Sequence, residues 1–197
     1  MMNFMKTLGA AIAALGLAMG LAHAQNAPEK TDITIGLPVT TSTFIPLLLA
    51  DEEGYFEGEG LKVEIVAFNG GTDLVRGMVA GAVDVGVGAL SEALVGVDTG
   101  QGIKVFYAGF NMTVFDWYAV PEIKSLADAK GARFGVTRFG SSTDYLTRYA
   151  LTIHDIDPDK DVQIIQGGGS APRLAAMDAG QLDVNIFATP EKFMAAD

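Results

Sequence analysis

The chain has 197 residues, with 24 Asp and Glu against 13 Lys and Arg, a formal net charge of −11, and no cysteine. So acidic a chain has no basic stripe to neutralise phosphates, which argues against nucleic-acid binding and against attraction to anionic lipid. Without cysteine, disulfides, thiol nucleophiles and Cys-ligated metals are excluded.

The first 24 residues carry one charge, Lys6, then an apolar stretch from Leu8 to Leu21, then Ala22-His23-Ala24. This is the layout of a secretory leader cleaved after Ala24. The apolar stretch falls short of the ~18–20 residues that a spanning helix needs. Export to the periplasm or an equivalent space is expected, and 173 residues remain once 24 are removed from 197. His154 is then the one histidine left, so Ser-His-Asp catalysis would have to rest on it. It stands in Leu151-Thr-Ile-His-Asp-Ile-Asp-Pro158, where a helix runs into a turn and a cation suits the negative helix end.

Strands and helices then alternate. Ile33, Ile35 and Leu37 mark a strand, Pro38 to Thr43 a loop, Phe44 to Glu53 a helix, and Leu61, Val63 and Ile65 a second strand. Tyr55 and Phe56 are expected to pin the first helix to the sheet. The Asn69-Gly70-Gly71 turn delivers Thr72 as N-cap to a helix with Leu74, Val75, Met78 and Val79 at helical spacing. Gly81 ends that helix, and Val83, Val85 and Val87 form a third strand. Ser91 is expected to cap the next helix, and Ile103 to Ala108 to form a fourth strand. A second unit starts near Asn111 to Trp117, followed by a strand at Tyr118 to Val120 and a capping-box pattern, Ser125-Leu-Ala-Asp128. Arg133 to Thr137 reads as a strand, Gly140-Ser-Ser-Thr143 as a turn opening a helix to about Ile153, and Val162 to Ile165 as a strand. Ser170 to Ala179 reads as a helix with Pro172 in its first turn, and Leu182 to Phe187 as the last strand, before Thr189-Pro190. Such alternation predicts an α/β fold with mostly parallel sheets.

The chain also repeats itself. Met78-Val-Ala-Gly-Ala-Val-Asp-Val85 returns as Met177-Asp-Ala-Gly-Gln-Leu-Asp-Val184, and Asn69-Gly-Gly-Thr72 is echoed by Gly167-Gly-Gly-Ser170. A repeat at this long period predicts two α/β lobes on one plan with a ligand cleft between them. The blander alternative is that Ala-Gly-x-x-Asp-Val is a common way to leave a helix and enter a strand.

Ala50-Asp-Glu-Glu-Gly-Tyr-Phe56 followed by Glu59-Gly-Leu-Lys-Val63 resembles the signature of extracytoplasmic solute-binding proteins. The family in question serves ABC importers of the nitrate, sulfonate, taurine and thiamine-pyrimidine-precursor type. Gly70-Gly71, Gly81-x-x-Asp84-Val85, Ile123-Lys-Ser-Leu-Ala-Asp128 with Lys130-Gly131, and Gly180-x-x-Asp183-Val184 leading to Pro190 are similar to it as well. The resemblance covers nearly all of the chain after the leader. It implies a two-lobed type II periplasmic binding protein fold with helices on both sheet faces, lobe I at 25–112 and lobe II at 113–197. It further implies a monomer that captures a small polar or anionic solute and docks on an ABC permease, with no catalysis, cofactor or metal. Family members carry ~100 or more residues beyond this point, so the return to lobe I is expected to be missing.

The resemblance places the ligand at loops where helices start with free N–H groups. The candidates are Thr41, Ser42, Thr43 and Phe44, then Gly70, Gly71 and Thr72, then Ala89 and Ser91. In lobe II they are Trp117, then Gly140, Ser141, Ser142 and Thr143, then Gly169 and Ser170. Hydroxyls and glycines serve helix caps equally well. Phe44, Phe115 and Trp117 could stack on a ligand ring or fill the core, and Asp116 and Arg138 are the charges nearest the expected cleft. Gly140→Val is expected to block ligand approach while leaving the unliganded melting curve nearly intact.

Two other classes compete. Gly86-Val-Gly-Ala-Leu-Ser91 imitates G-x-G-x-x-G, and pyrimidine synthases share the resembled fold, but the next strand lacks an acid for a ribose. A sensory ligand-binding module is the second.

Overall fold

A computed structural model describes residues 28–109 and 112–195; the expected leader lies outside the described residues. The first half contains β1 (Asp32–Leu37), a 3-10 turn (Ser42–Phe44), α1 (Ile45–Glu52), α2 (Tyr55–Gly58) and β2 (Lys62–Ala67). α3 (Gly71–Val79), β3 (Val85–Gly86) and α4 (Leu90–Asp98) complete it. In the second half come β4 (Asp116–Ala119), a 3-10 turn (Leu126–Ala129), β5 (Arg133–Val136) and α5 (Ser142–Ile153). β6 (Gln163–Gln166), α6 (Ser170–Asp178), β7 (Val184–Phe187) and α7 (Glu191–Met194) follow.

Two sheets result. The first has the order β2-β1-β3, and β1 is parallel to both neighbours. The second has the order β4-β7-β5-β6, parallel except where β4 runs against β7. The α/β alternation and the parallel-dominated sheets expected from the sequence are therefore present. Each parallel pair needs a crossover, and the helices between the strands supply it.

The deeper core is in the second half. Phe134, Leu151, Ile156, Val162 and Val184 are buried with Ala129 and Ala132, and Ile123, Leu126 and Ile164 pack on them. Each large apolar side chain buried this fully contributes about 1.5–3 kcal/mol. In the first half Ile35, Leu37, Leu74 and Val83 are buried, where β1, α3 and the approach to β3 meet.

The internal repeat is physical. Met78 and Met177 are 99 positions apart, and α3 and α6 start and stop at the same offset. Both helices end identically: Gly81 donates to the Met78 carbonyl and Ala82 to that of Gly77, while Gly180 donates to Met177 and Gln181 to Ala176. This paired closure requires a left-handed residue, and the two glycines have φ of 73° and 67°. The following aspartates act alike too. Asp84 Oδ2 accepts the Thr34 N–H at 2.9 Å, and Asp183 Oδ2 accepts the Arg133 N–H at 2.8 Å. Each joins the start of its strand to a parallel neighbour.

Several expectations need correction. Residues 103–108 form no strand; Phe106 and Tyr107 are 81% and 78% exposed. β-propensity alone cannot make a strand without a partner ladder, and β3, the strand before it in the chain, is two residues long. Thr72 and Ser91 lie inside their helices, whose N-caps are Gly70 and Ala89. Gly70 can take that place because its φ is 125°. Tyr55 is exposed and does not pin α1, whereas Phe56 is half-buried. The Ser125–Asp128 capping box is present, on a 3-10 turn.

Candidate functional site

Loops from the two halves meet through direct hydrogen bonds. Ser42 Oγ donates to the Thr189 carbonyl at 2.6 Å, and Thr72 Oγ1 to the Phe139 carbonyl at 3.0 Å. The Arg138 guanidinium reaches Asp73 Oδ2 and the Asn69 carbonyl, both at 3.2 Å. The Ser142 N–H donates to Glu92 Oε1 at 2.9 Å. The starts of α3 and α5 thus meet, and the 3-10 turn meets the approach to α7; the amide that opens α5 already has its acceptor in Glu92.

The centre of this region is a hydroxyl cluster. Thr137 Oγ1, Ser141 Oγ and Thr143 Oγ1 lie 2.8–2.9 Å from one another, and Thr143 Oγ1 also accepts the Thr137 N–H. All three side chains are buried, so mutual hydrogen bonding is what makes their desolvation tolerable. Gly140, with φ of 78°, turns the chain into α5 and donates its N–H to Asp144 Oδ2 at 2.8 Å. That left-handed backbone overturns the expectation that Gly140→Val would spare the unliganded protein, because a β-branched residue is strained there.

The other candidates divide. Thr41 caps the 3-10 turn, its Oγ1 accepting the Thr43 N–H at 3.1 Å, and Phe44 is half-buried at the end of that turn. Gly71 is buried against Glu92: a Cβ there would overlap the carboxylate. Ala89 and Ser91 flank the start of α4, which carries Glu92 inward. Gly169 caps α6, and Ser170 begins it, half-buried. Trp117 is not gathered with the rest: it stands on edge strand β4, opposite Ile186, and is 36% exposed. Asp116 pairs with Lys192 at 3.0 Å.

Sequence reasoning missed two acids and a base. Glu92 is 4% exposed, and its Oε2 is buried without a hydrogen-bond partner among the described residues; Glu191 Oε2 is buried in the same condition. Glu191 lies 99 positions after Glu92, so carrying the repeat past Val184 would have flagged the pair. Arg173 is 1% exposed and donates to the carbonyls of Gly168, Gly135 and Ile186. Burial draws its guanidinium down to about 10, with Glu191 acting in the opposite sense. Two surface depressions lie in the first half away from this region, one beside Phe56, Leu61 and Val63 and one beside Val75, Val79 and Thr99. The described residues contain no group of three or more His, Cys, Asp or Glu side chains placed to hold a metal ion.

Similar proteins share this architecture. A solved protein of Bordetella bronchiseptica RB50 is 30% identical, with a TM-score of 0.72 over 84% of this chain and 54% of that one. The alkanesulfonate-binding protein SsuA of Xanthomonas axonopodis pv. citri, solved with MOPS bound, is 23% identical, with a TM-score of 0.67 over 84% of this chain and 57% of its own. The Bacillus subtilis protein YtlA is 27% identical over 177 residues, 84% of this chain and 51% of YtlA. The chain therefore spans about half the length of these relatives. The NMT1-like family matches residues 26–193, and the chain belongs to that family.

Proposed function

We propose that the protein is the extracytoplasmic solute-binding component of an ABC importer. The two halves act as lobes, at 25–112 and 113–197, that close on a small solute and deliver it to a membrane permease. The observation that carries this reading is the meeting of α3 and α5 at their N-terminal ends, with Glu92 between Gly71 and the Ser142 amide. A helix start offers directed N–H groups; with the Ser142 amide already held by Glu92, a ligand gains purchase on the first half through that carboxylate and the start of α3, and on the second through the loop that opens α5. The ligand residues proposed are those gathered here: Thr41, Ser42, Thr43, Phe44, Gly70, Gly71, Thr72, Ala89, Ser91, Gly140, Ser141, Ser142 and Thr143, with Gly169 and Ser170 at the start of α6. Trp117 is left out because of its place on the edge strand. The likeness to an alkanesulfonate-binding protein supports solute capture as the activity. The leader-like N-terminus supports export.

The test is a thermal-shift screen of the full-length gene product against small solutes, read alongside the genes adjacent to its own. A saturable rise in melting temperature with one solute class, beside permease and ATPase genes, is the expected outcome. A protein that no solute stabilises, with no transporter nearby, overturns the reading.

A further inference from the structure

Glu92 occupies the position that an oxyanion would take. α5 is twelve residues long, and its Ser142 amide donates to Glu92 Oε1 at 2.9 Å. On the opposite side Gly71 opens α3, bare of the Cβ that would strike the carboxylate. A helix start attracts negative charge, and here the protein supplies that charge itself. No Lys or Arg forms an ion pair with Glu92 among the described residues, and Oε2 is enclosed without a hydrogen-bond partner. A buried carboxylate oxygen left unpaired is costly. The same condition recurs at Glu191, its counterpart across the internal repeat, whose Oε2 is also enclosed and unpartnered. Glu191 has the buried Arg173 charge acting on it, so the acceptor left open for a donor is Glu92 Oε2.

Resting on the solute-capture reading above, we propose that Glu92 sets the charge class of the ligand. Its Oε2 receives an N–H donor from a cationic solute, a protonated amine or amidine, while its Oε1 keeps small oxyanions away from the start of α5. A carboxylate that served only to tie the halves together would leave ligand class unchanged when neutralised.

The experiment uses the full-length protein and its Glu92→Gln and Glu92→Ala variants, titrated calorimetrically with benzamidine and putrescine as cationic probes and with methanesulfonate and sulfate as oxyanions. Wild type is expected to bind a cationic probe and to give no saturable heat with methanesulfonate. Glu92→Gln, equal in shape and without charge, should weaken the cationic probe on the order of tenfold or more, since a charged hydrogen bond becomes a neutral one. Glu92→Ala should take up methanesulfonate on the order of tenfold better than wild type as the helix start is freed. Unliganded melting curves verify folding, and if the alanine variant does not fold, the isosteric glutamine variant decides alone. Oxyanion binding to wild type as tight as to Glu92→Ala, or a cation affinity unchanged in Glu92→Gln, overturns the proposal. A screened solute that stabilises wild type and Glu92→Gln equally overturns it while leaving solute capture standing. Silence from every solute in wild type removes both.

Discussion

Asp183 holds Arg133 at two points, its Oδ2 accepting the backbone N–H and the guanidinium Nε each at 2.8 Å. One carboxylate thereby sets the register of β5 against the chain entering β7 and also binds the side chain that would otherwise compete for it. A third bond runs from the guanidinium Nη2 to Oδ1 at 2.5 Å, so Asp183→Ala removes all three and leaves a part-buried amide without its acceptor. A loss of about 1–3 kcal/mol is expected in urea unfolding. The equivalent Asp84→Ala should cost less, because Asp84 and its partner Lys30 are more exposed than the Asp183–Arg133 pair. Equal losses would mean that the repeat's two aspartates are not graded by burial.

Acid should expose the same contact. The hydrogen bond from the Arg133 side chain, helped by its backbone N–H and positive charge, holds the Asp183 carboxyl below its ordinary 3.8. A carboxylate whose pKa is depressed on folding stabilises the protein fully above its unfolded pKa and loses that contribution as pH falls through the lower, folded value. The gap in melting temperature between wild type and Asp183→Asn should therefore be widest at neutral pH and close below 3.8. A gap that persists unchanged in acid would assign the effect to packing.

Gly140→Ala tests the turn into α5. With φ of 78° at this position, an alanine is expected to lower stability by about 1–2 kcal/mol. Thermal melting of the unliganded protein measures it. An unchanged curve would mean that the turn can relax into a right-handed form without breaking the Gly140–Asp144 bond.

Arg173 and Arg138 should behave in opposite ways. Arg173→Met withdraws a buried guanidinium from three carbonyls, and a loss above about 2 kcal/mol is expected. Lysine should not rescue it, since a single ammonium cannot span the same fork. Arg138→Ala breaks a pair in which the arginine side chain is 41% exposed, and the expected change is below about 1 kcal/mol. Chemical denaturation of the three variants in parallel decides whether burial or charge count governs these arginines.

Much of the architecture was legible because its causes are local. The glycines after α3 and α6, the Ser125–Asp128 capping box and the turn before α5 follow from which residues tolerate a left-handed backbone or cap an amide, and those preferences act within a few positions. The strand expected at 103–108 failed for the opposite reason. Its apolar residues suit a pleated surface, but strand formation depends on a partner elsewhere in the chain. Thr72 and Ser91 have the right chemistry for N-caps, yet the cap positions fall to Gly70, with its positive φ, and to Ala89, with its extended backbone, and the hydroxyls two residues on fall inside the helix.

The sequence by itself determined the repeat, the α/β alternation and the loops that carry small hydroxyls, because turn, cap and periodicity preferences are properties of neighbouring residues. Tertiary structure decided which of those loops meet. No local motif singles out Glu92, and only folding brings it against Gly71 and the Ser142 amide 50 positions away. The partner of a charge is chosen by packing between distant segments, and no local pattern encodes that choice.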